Sequence, residues 1–410
     1  MAALAPSDYD PVLRRQSLRN RAGKRMNQIH SRYVIVGAGA MGSAAAYYLA
    51  KRGAQVLLVE QFRVGHDRGS SHGAARITRH SYADPHCAGL MPEAFRAWKS
   101  LEADAGECLY VRTGGVTFGP STTGYVARVA SNLDSLGVPH RLMTANELAH
   151  AHPAFRLPEG YEAVFEPDAG LLAASRAVAA EVALARRLGG ERTQVREECP
   201  IRRIDLDAET PTLVADNLTI TADRLIVTAG AWVKHLLPAL GVALRPTRQQ
   251  VLYFRPAEPA SFAIGRFPVF IYKGAAELDE FYGMPACLGC DVTVARHGGP
   301  DVDPNTEDRA ISEEYQGVVR AFLERHIPSL ASAPISLTET CLYTVAPEDR
   351  FVLGPLPGRP DVIVASPCSG HGFKFSNLIG RALADLALEG QTPIDIVPWQ
   401  VPDLRPSGAE

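Results

Sequence analysis

Apolar residues along this chain gather in short bursts punctuated by glycine. Tyr33-Val34-Ile35-Val36 is an apolar, β-branched run of the kind buried in a parallel sheet. It predicts order from Arg32 and a strand that runs directly into Gly37-Ala38-Gly39-Ala40-Met41-Gly42. An alanine-rich helix is expected from Ser43 to Arg52, then a strand over 55–59 that stops at Glu60. Later bursts, Leu225-Ile226-Val227 ahead of Gly230 and Val362-Ile363-Val364-Ala365, read as further strands feeding turns. Behind the last, Phe375, Leu378, Ile379, Ala382, Leu383 and Leu386 recur at the 3.6-residue period of a helix.

The first burst and its glycines form the G-x-G-x-x-G pattern in its full setting of strand, loop, helix, strand and acid. Gly37 permits a tight turn, Gly39 lets backbone approach a pyrophosphate, and Gly42 lets helix pack on strand. The helix N-terminus offers free N–H groups and partial positive charge to a diphosphate. Glu60 stands where an acid accepts ribose hydroxyls, and it would repel a 2′-phosphate. An adenine dinucleotide is expected; this unit alone does not choose between NAD and FAD.

Composition narrows the class. The chain has 410 residues, enough for two domains. Lys plus Arg is 42 and Asp plus Glu 45, so there is no basic excess of the kind nucleic-acid binders carry. No run of 18 apolar residues exists, which argues against a membrane-spanning helix. Seven scattered cysteines do not look like a disulfide framework, and a reducing cytoplasmic compartment fits them. Cys287 and Cys290 form a C-x-x-C pair without a second pair or histidine at zinc spacing, so no metal is expected and they read as core thiols. Residues 1–30 are basic and lack an apolar signal core; they read as an extension or surface arm.

Two strings carry the candidate chemistry. In Gly69-Ser70-Ser71-His72-Gly73-Ala74-Ala75-Arg76-Ile77-Thr78-Arg79-His80-Ser81-Tyr82, the groups at 72, 76 and 79 would share one side of a helix. A solvated basic face is the plain alternative, but no acids stand nearby in the string to pair with it. The second string is Cys368-Ser369-Gly370-His371-Gly372-Phe373-Lys374. It implies another ligand contact at a helix N-terminus, which suits a flavin because the reduced ring carries negative charge.

With these strings in place the chain resembles the monomeric sarcosine oxidase and N-methyltryptophan oxidase group of D-amino-acid-oxidase-like flavoenzymes. The matching pieces are Gly37–Gly42, Ser70–Tyr82, Phe165–Gly170, Thr228–Trp232, Phe281–Pro285, Thr340–Thr344 and Ser369–Lys374, in family order over about residues 32–400. The resemblance implies FAD, attached covalently through Cys341, with Gly37, Gly39, Gly42, Glu60, Ser71, His72, Arg76, Gly370, Gly372 and Lys374 as cofactor contacts. It implies that Arg79 and Lys374 grip a substrate carboxylate, that Arg76 and His72 lie close to the flavin, and that Tyr282 and His297 wall the substrate pocket. The implied reaction is oxidation of a secondary-amine amino acid (sarcosine, another N-methyl amino acid or a cyclic imino acid), with O2 reduced to H2O2.

One departure stands out. The group's characterised oxidases carry an oxygen-activating lysine four residues before the pocket histidine, where this chain has Thr293. Arg296 or Lys273 could substitute, oxygen could react slowly, or electrons could pass to another acceptor. The charges within 270–280 are also unlike those of the group.

The expected architecture is an α/β, Rossmann-like FAD-binding domain, discontinuous over 31–86, 161–245 and 339–400. It would be interleaved with an α+β substrate domain, a mostly antiparallel sheet over 87–160 and 246–338, in a protein acting as a monomer. Two rival readings are an NAD-dependent dehydrogenase, in which Ser369–Lys374 would have no role, and a flavin-binding subunit without turnover.

Overall fold

The computed structural model describes residues 27–276, 279–305 and 308–402. Most of the basic N-terminal stretch, residues 1–26, lies outside them. The first strand, Asn27–Val36, begins earlier than its apolar run because its polar first half pairs with Leu218–Val227. The boundary expected at residue 31 therefore falls inside a strand.

A parallel sheet of five strands organises the first layer. Thr193–Arg196, Val56–Val59, Asn27–Val36, Leu218–Val227 and Arg359–Ala365 lie side by side in that order. Both faces are covered, which is why these strands read as continuous apolar runs. Ile35, Leu58, Ile226 and Ile363 pack with Tyr47, Leu49, Leu378 and Leu383 of the covering helices. Val34, Val36, Leu57 and Val227 pack on the other side with Leu213, Val233 and Leu237.

Helix Ala40–Lys51 and helix Ser376–Glu389 meet closely because small residues face each other. A Cβ at Gly380 would stand 2.4 Å from the Ala44 Cβ. Helix Ala174–Gly189 closes this group with a buried polar knot. There Glu181 accepts from Ser43 at 2.5 Å and from Asn377 at 3.1 Å.

The second layer is an eight-stranded sheet in which every pairing is antiparallel except Val269–Lys273 with Gly115–Pro120. One face packs an aromatic core of Phe118, Phe254, Phe270 and Phe322 beneath helix Glu313–His326. The other face looks toward the first layer. Sheet membership shifts the expected division of the chain in three places. Tyr161–Glu166 and Ile335–Val345 pair in the second sheet, with Gly115–Pro120 and Arg245–Phe254. Helix Pro85–Ala105 buries Met91, Trp98 and Leu101 in the first layer's core. No helix among the described residues is long and apolar enough to cross a membrane.

Candidate active site

Four of the parallel strands end on one large cavity, of about 410 Å³, that runs from Gly37 to Lys374. The strands leaving Asn27–Val36 cross over in opposite directions at this edge, the place where open α/β sheets hold ligands. Gly37 adopts φ 100°, and a Cβ there would stand 2.6 Å from the Thr228 carbonyl oxygen. A Cβ at Gly42 would stand 1.8 Å from the Gly37 oxygen, so the first turn of helix Ala40–Lys51 needs this glycine. Thr228 ties the loop from below, donating to the oxygens of Val36 and Gly37 at 2.9 Å each. Ser71 caps it from above by accepting from the Ala40 N–H at 3.0 Å. Glu60 is buried and accepts the N–H groups of Ala38 at 2.8 Å and Phe62 at 2.9 Å. Each oxygen keeps a further lone pair for a hydroxyl. A close, side-chain-free loop beside a helix N-terminus and an acid fits a dinucleotide.

The 69–82 string is not a helix. Ala75–Thr78 is a short strand paired with Gly170–Ala173, and loop precedes and follows it. Arg76 explains the extended path, for its guanidinium donates to the carbonyls of Ser70 at 2.9 Å, His72 at 2.6 Å and Ala75 at 2.8 Å. These bonds satisfy backbone that a helix would have satisfied itself. His72 meets the Thr340 carbonyl at 3.1 Å, and burial together with Arg76 lowers its proton affinity.

Strand pairing writes out the cavity-facing side of the second sheet in rows. Cys341 pairs with Gln249, and the same register continues across to His297, Glu280 and Lys273. The next row holds Glu339, Val251, Ala295, Tyr282 and Ile271; the third holds Tyr253, Thr293 and Met284. Cys341 is buried and lines the cavity with Tyr282, Tyr343 and His297. Burial pushes the Tyr282 hydroxyl up to about 12. Glu339 accepts from the Tyr253 hydroxyl at 2.5 Å.

Arg79 and Lys374 converge from opposite ends of the chain onto Tyr82. The Arg79 guanidinium lies 4.4 Å from the centre of the Tyr82 ring, and the Lys374 ammonium donates to the Tyr82 hydroxyl at 2.9 Å. Both are buried and both line the cavity. Arg79 Nε and Nη1 have no hydrogen-bond partner among the described residues. Burial, and then the Arg79 charge, pushes the Lys374 ammonium well below its ordinary value. The chain after Arg79 is clamped by buried Glu166, which accepts from the His80 and Ser81 N–H groups, the His80 ring and the Ser81 hydroxyl.

The 368–374 string forms a tight loop ahead of a single 3-10 turn, Phe373–Phe375, so helix Ser376–Glu389 starts later than its glycines suggested. A Cβ at Gly370 would stand 2.2 Å from the His297 ring, and one at Gly372 would stand 1.6 Å from the Pro367 oxygen. Among these, sequence reasoning gave no separate role to Tyr82, Glu280, Glu339 or Tyr343. Glu339 and Tyr343 were recoverable, since they alternate with Cys341 on one strand.

Three expectations need correction. Thr293 is buried between Tyr253 and Met284, and neither cation offered in its place lines the cavity. Arg296 lies over Tyr315 on the helix-covered face, and Lys273 is ion-paired with Glu280. Arg76 is the cation that lies among Cys341, Tyr282, Tyr343 and Tyr253. Cys287 and Cys290 are not core thiols. They are half-buried and face each other across a turn, joined by N–H to carbonyl bonds of 3.1 and 2.9 Å.

Comparison with known proteins agrees with this geometry. The family described as FAD dependent oxidoreductase (DAO) matches residues 32–386. A monomeric sarcosine oxidase of Bacillus sp. (strain NS-129) is 34% identical over 378 residues, spanning 90% of this chain and 95% of that protein. The N-methyl-L-tryptophan oxidase of Salmonella arizonae is 30% identical over 375 residues, spanning 90% and 97%. Among solved structures, NikD, an unusual amino acid oxidase of nikkomycin biosynthesis, shares the fold with a TM-score of 0.81 at 24% identity, covering 93% of this chain and 100% of that one. The L-proline dehydrogenase of P. horikoshii shares it at 0.78 and 20%, covering 91% and 97%. The chain thus belongs to the FAD dependent oxidoreductase family and is an oxidoreductase of the sarcosine oxidase type.

Proposed function

We propose that this protein oxidises the C–N bond of a secondary-amine amino acid, and that Arg79 and Lys374 hold the substrate by its carboxylate. The carrying observation is two buried cations, Arg79 and Lys374, that line one cavity beside Tyr82, with Arg79 Nε and Nη1 unpartnered among the described residues. A buried donor left unsatisfied costs about 1–3 kcal/mol, and a carboxylate is the group whose two oxygens match a guanidinium fork. A bound anion also restores the charge on Lys374 that burial and Arg79 disfavour. Tyr82 fixes both cations against one ring, so the carboxylate is presented in one orientation.

FAD would lie along the cavity from Gly37, Gly39, Gly42 and Glu60 past Ser71, His72 and Arg76 to Gly370 and Gly372, with Cys341 as the covalent anchor. When bound it would supply the two-electron acceptor for oxidation of the carbon next to nitrogen. Tyr282 and His297 line the same cavity as Arg79, where they would confine the amine. The imidazole of His297 would hydrogen-bond the amine, whose neutral form has the lone pair that drives its oxidation. Water would then hydrolyse the imine product, with O2, reduced to H2O2, as the final electron acceptor.

Thr293 favours a second reading, in which the electrons leave to an acceptor other than oxygen. The family's activating lysine is missing, and a preorganised positive charge is what stabilises developing superoxide. Anaerobic mixing of the holoenzyme with N-methyl, cyclic and primary amino acids tests both. Bleaching of the flavin band by secondary amines, with peroxide formed when air is admitted, is the expected outcome. Bleaching without peroxide would favour the dehydrogenase, and no bleaching by any of them would overturn amine oxidation.

A further inference from the structure

The cavity-facing row that starts at Cys341 includes a carboxylate, Glu280, that the proposed chemistry does not use. Three carboxylates line the cavity among the described residues, Glu60, Glu280 and Glu339. Glu60 is committed to the glycine loop and Glu339 to Tyr253. Glu280 stands next to His297, whose N–H donates to the Glu280 carbonyl at 2.7 Å. Three strand spacings separate it from Cys341, roughly 14 Å at about 4.8 Å per strand. Glu280 thus lines the same cavity as Cys341 but stands well away from it.

The charge of Glu280 is maintained. Burial opposes ionisation, but His297, Lys273 and Arg79 together hold its carboxyl below the ordinary range. Lys273 engages one oxygen, Oε2, and its own side chain is 43% exposed and does not line the cavity. It therefore reaches Glu280 from the solvent side. An ionised carboxylate has two oxygens and about four lone-pair sites, so the cavity side of Glu280 can take another donor. Ile271 and Tyr282 line the cavity beside it, and Lys374 interacts with Glu280 electrostatically as Arg79 does.

We propose that Glu280 selects substrates bearing a second positive group remote from the reacting amine, making basic N-alkyl amino acids the preferred class. This deepens the amine-oxidation reading and rests on it. An apolar side chain would cover the carboxylate without pairing it, and an acidic one would meet like charge. A distal ammonium or guanidinium would pair with it while the α-carboxylate stays on Arg79 and Lys374.

The test compares Nα-methyl-L-lysine, N-methyl-L-norleucine and N-methyl-L-glutamate by anaerobic flavin bleaching. Calorimetry on the holoenzyme then compares 6-aminohexanoate with hexanoate, which cannot be oxidised by this route. The lysine derivative should bleach at least about tenfold more efficiently than the norleucine derivative, with the glutamate derivative poorest, as one charge-assisted pair predicts. 6-Aminohexanoate should bind more tightly than hexanoate by a similar factor, and Glu280→Gln should bring both ratios near one. Equal use of the lysine and norleucine derivatives by the unmutated enzyme would overturn the proposal while leaving amine oxidation standing. Ratios unmoved by Glu280→Gln would overturn it as well. Bleaching by none of the three, nor by sarcosine, would remove amine oxidation and this inference with it.

Discussion

Arg79 and Cys341 are the single residues on which the proposed substrate grip and the proposed covalent link would depend. Replacing Arg79 with alanine removes a charge-assisted fork worth about 1.5–3 kcal/mol. The apparent Kd for carboxylate substrates in bleaching titrations should rise by about tenfold to a hundredfold; unchanged affinity would take Arg79 out of the substrate site. Cys341→Ser should give a protein whose acid precipitate is colourless while the unmutated precipitate stays yellow. A colourless pellet from the unmutated holoenzyme would end the covalent assignment. Both residues were legible because each sits in a distinctive string. Tyr82 and Glu280 were not, because their importance depends on which partners stand opposite. Tyr82 matters because Lys374, 292 positions away, donates to it.

At the scale of elements, the three helices Ala40–Lys51, Ala174–Gly189 and Ser376–Glu389 share the buried carboxyl of Glu181. Burial raises its pKa from 4.5 to about 8, despite the bonds from Ser43 and Asn377. The folded protein thus keeps the acid form while the unfolded chain ionises above about 4.5. Stability from this group is complete below that pH and declines as pH rises toward about 8, by at most about 1.4 kcal/mol per pH unit. Glu181→Gln should therefore melt higher than the unmutated protein at pH 8, with the difference shrinking toward pH 5. A pH-independent difference in melting temperature would refute this. Strand and helix order along the parallel sheet was legible from apolar bursts and the helical period. The extended path of 72–79 was not: the spacing of His72, Arg76 and Arg79 matched a helix, but Arg76 instead satisfies the loop's carbonyls while Ala75–Thr78 joins a small sheet.

Across the whole molecule the cavity separates two layers that each contribute one wall. The glycine loop, Glu60 and Thr228 come from the parallel sheet, and Cys341, Tyr282 and His297 from the antiparallel one. A ligand spanning both should bind the folded state alone and stabilise it. In the Cys341→Ser variant, with FAD exchangeable, the melting temperature should climb with added FAD. The gain should be about 4 kcal/mol at a thousandfold excess over Kd. A melting temperature indifferent to FAD would mean that the cavity is not its site.

By itself the sequence determined the parallel sheet and the glycine loop, and it singled out the strings that line the cavity. Local patterns suffice there, because glycine spacing, apolar runs and acids at strand ends act through neighbours along the chain. The tertiary structure decided which groups share the cavity. Thr293 stands between Tyr253 and Met284, Arg296 is turned to the helix-covered face, and Glu280 is brought into line with His297 and Cys341. Those outcomes follow from strand register, in which a shift of one residue sends every side chain to the opposite face. Register is set by pairing between segments far apart in the chain, so no local pattern could disclose it.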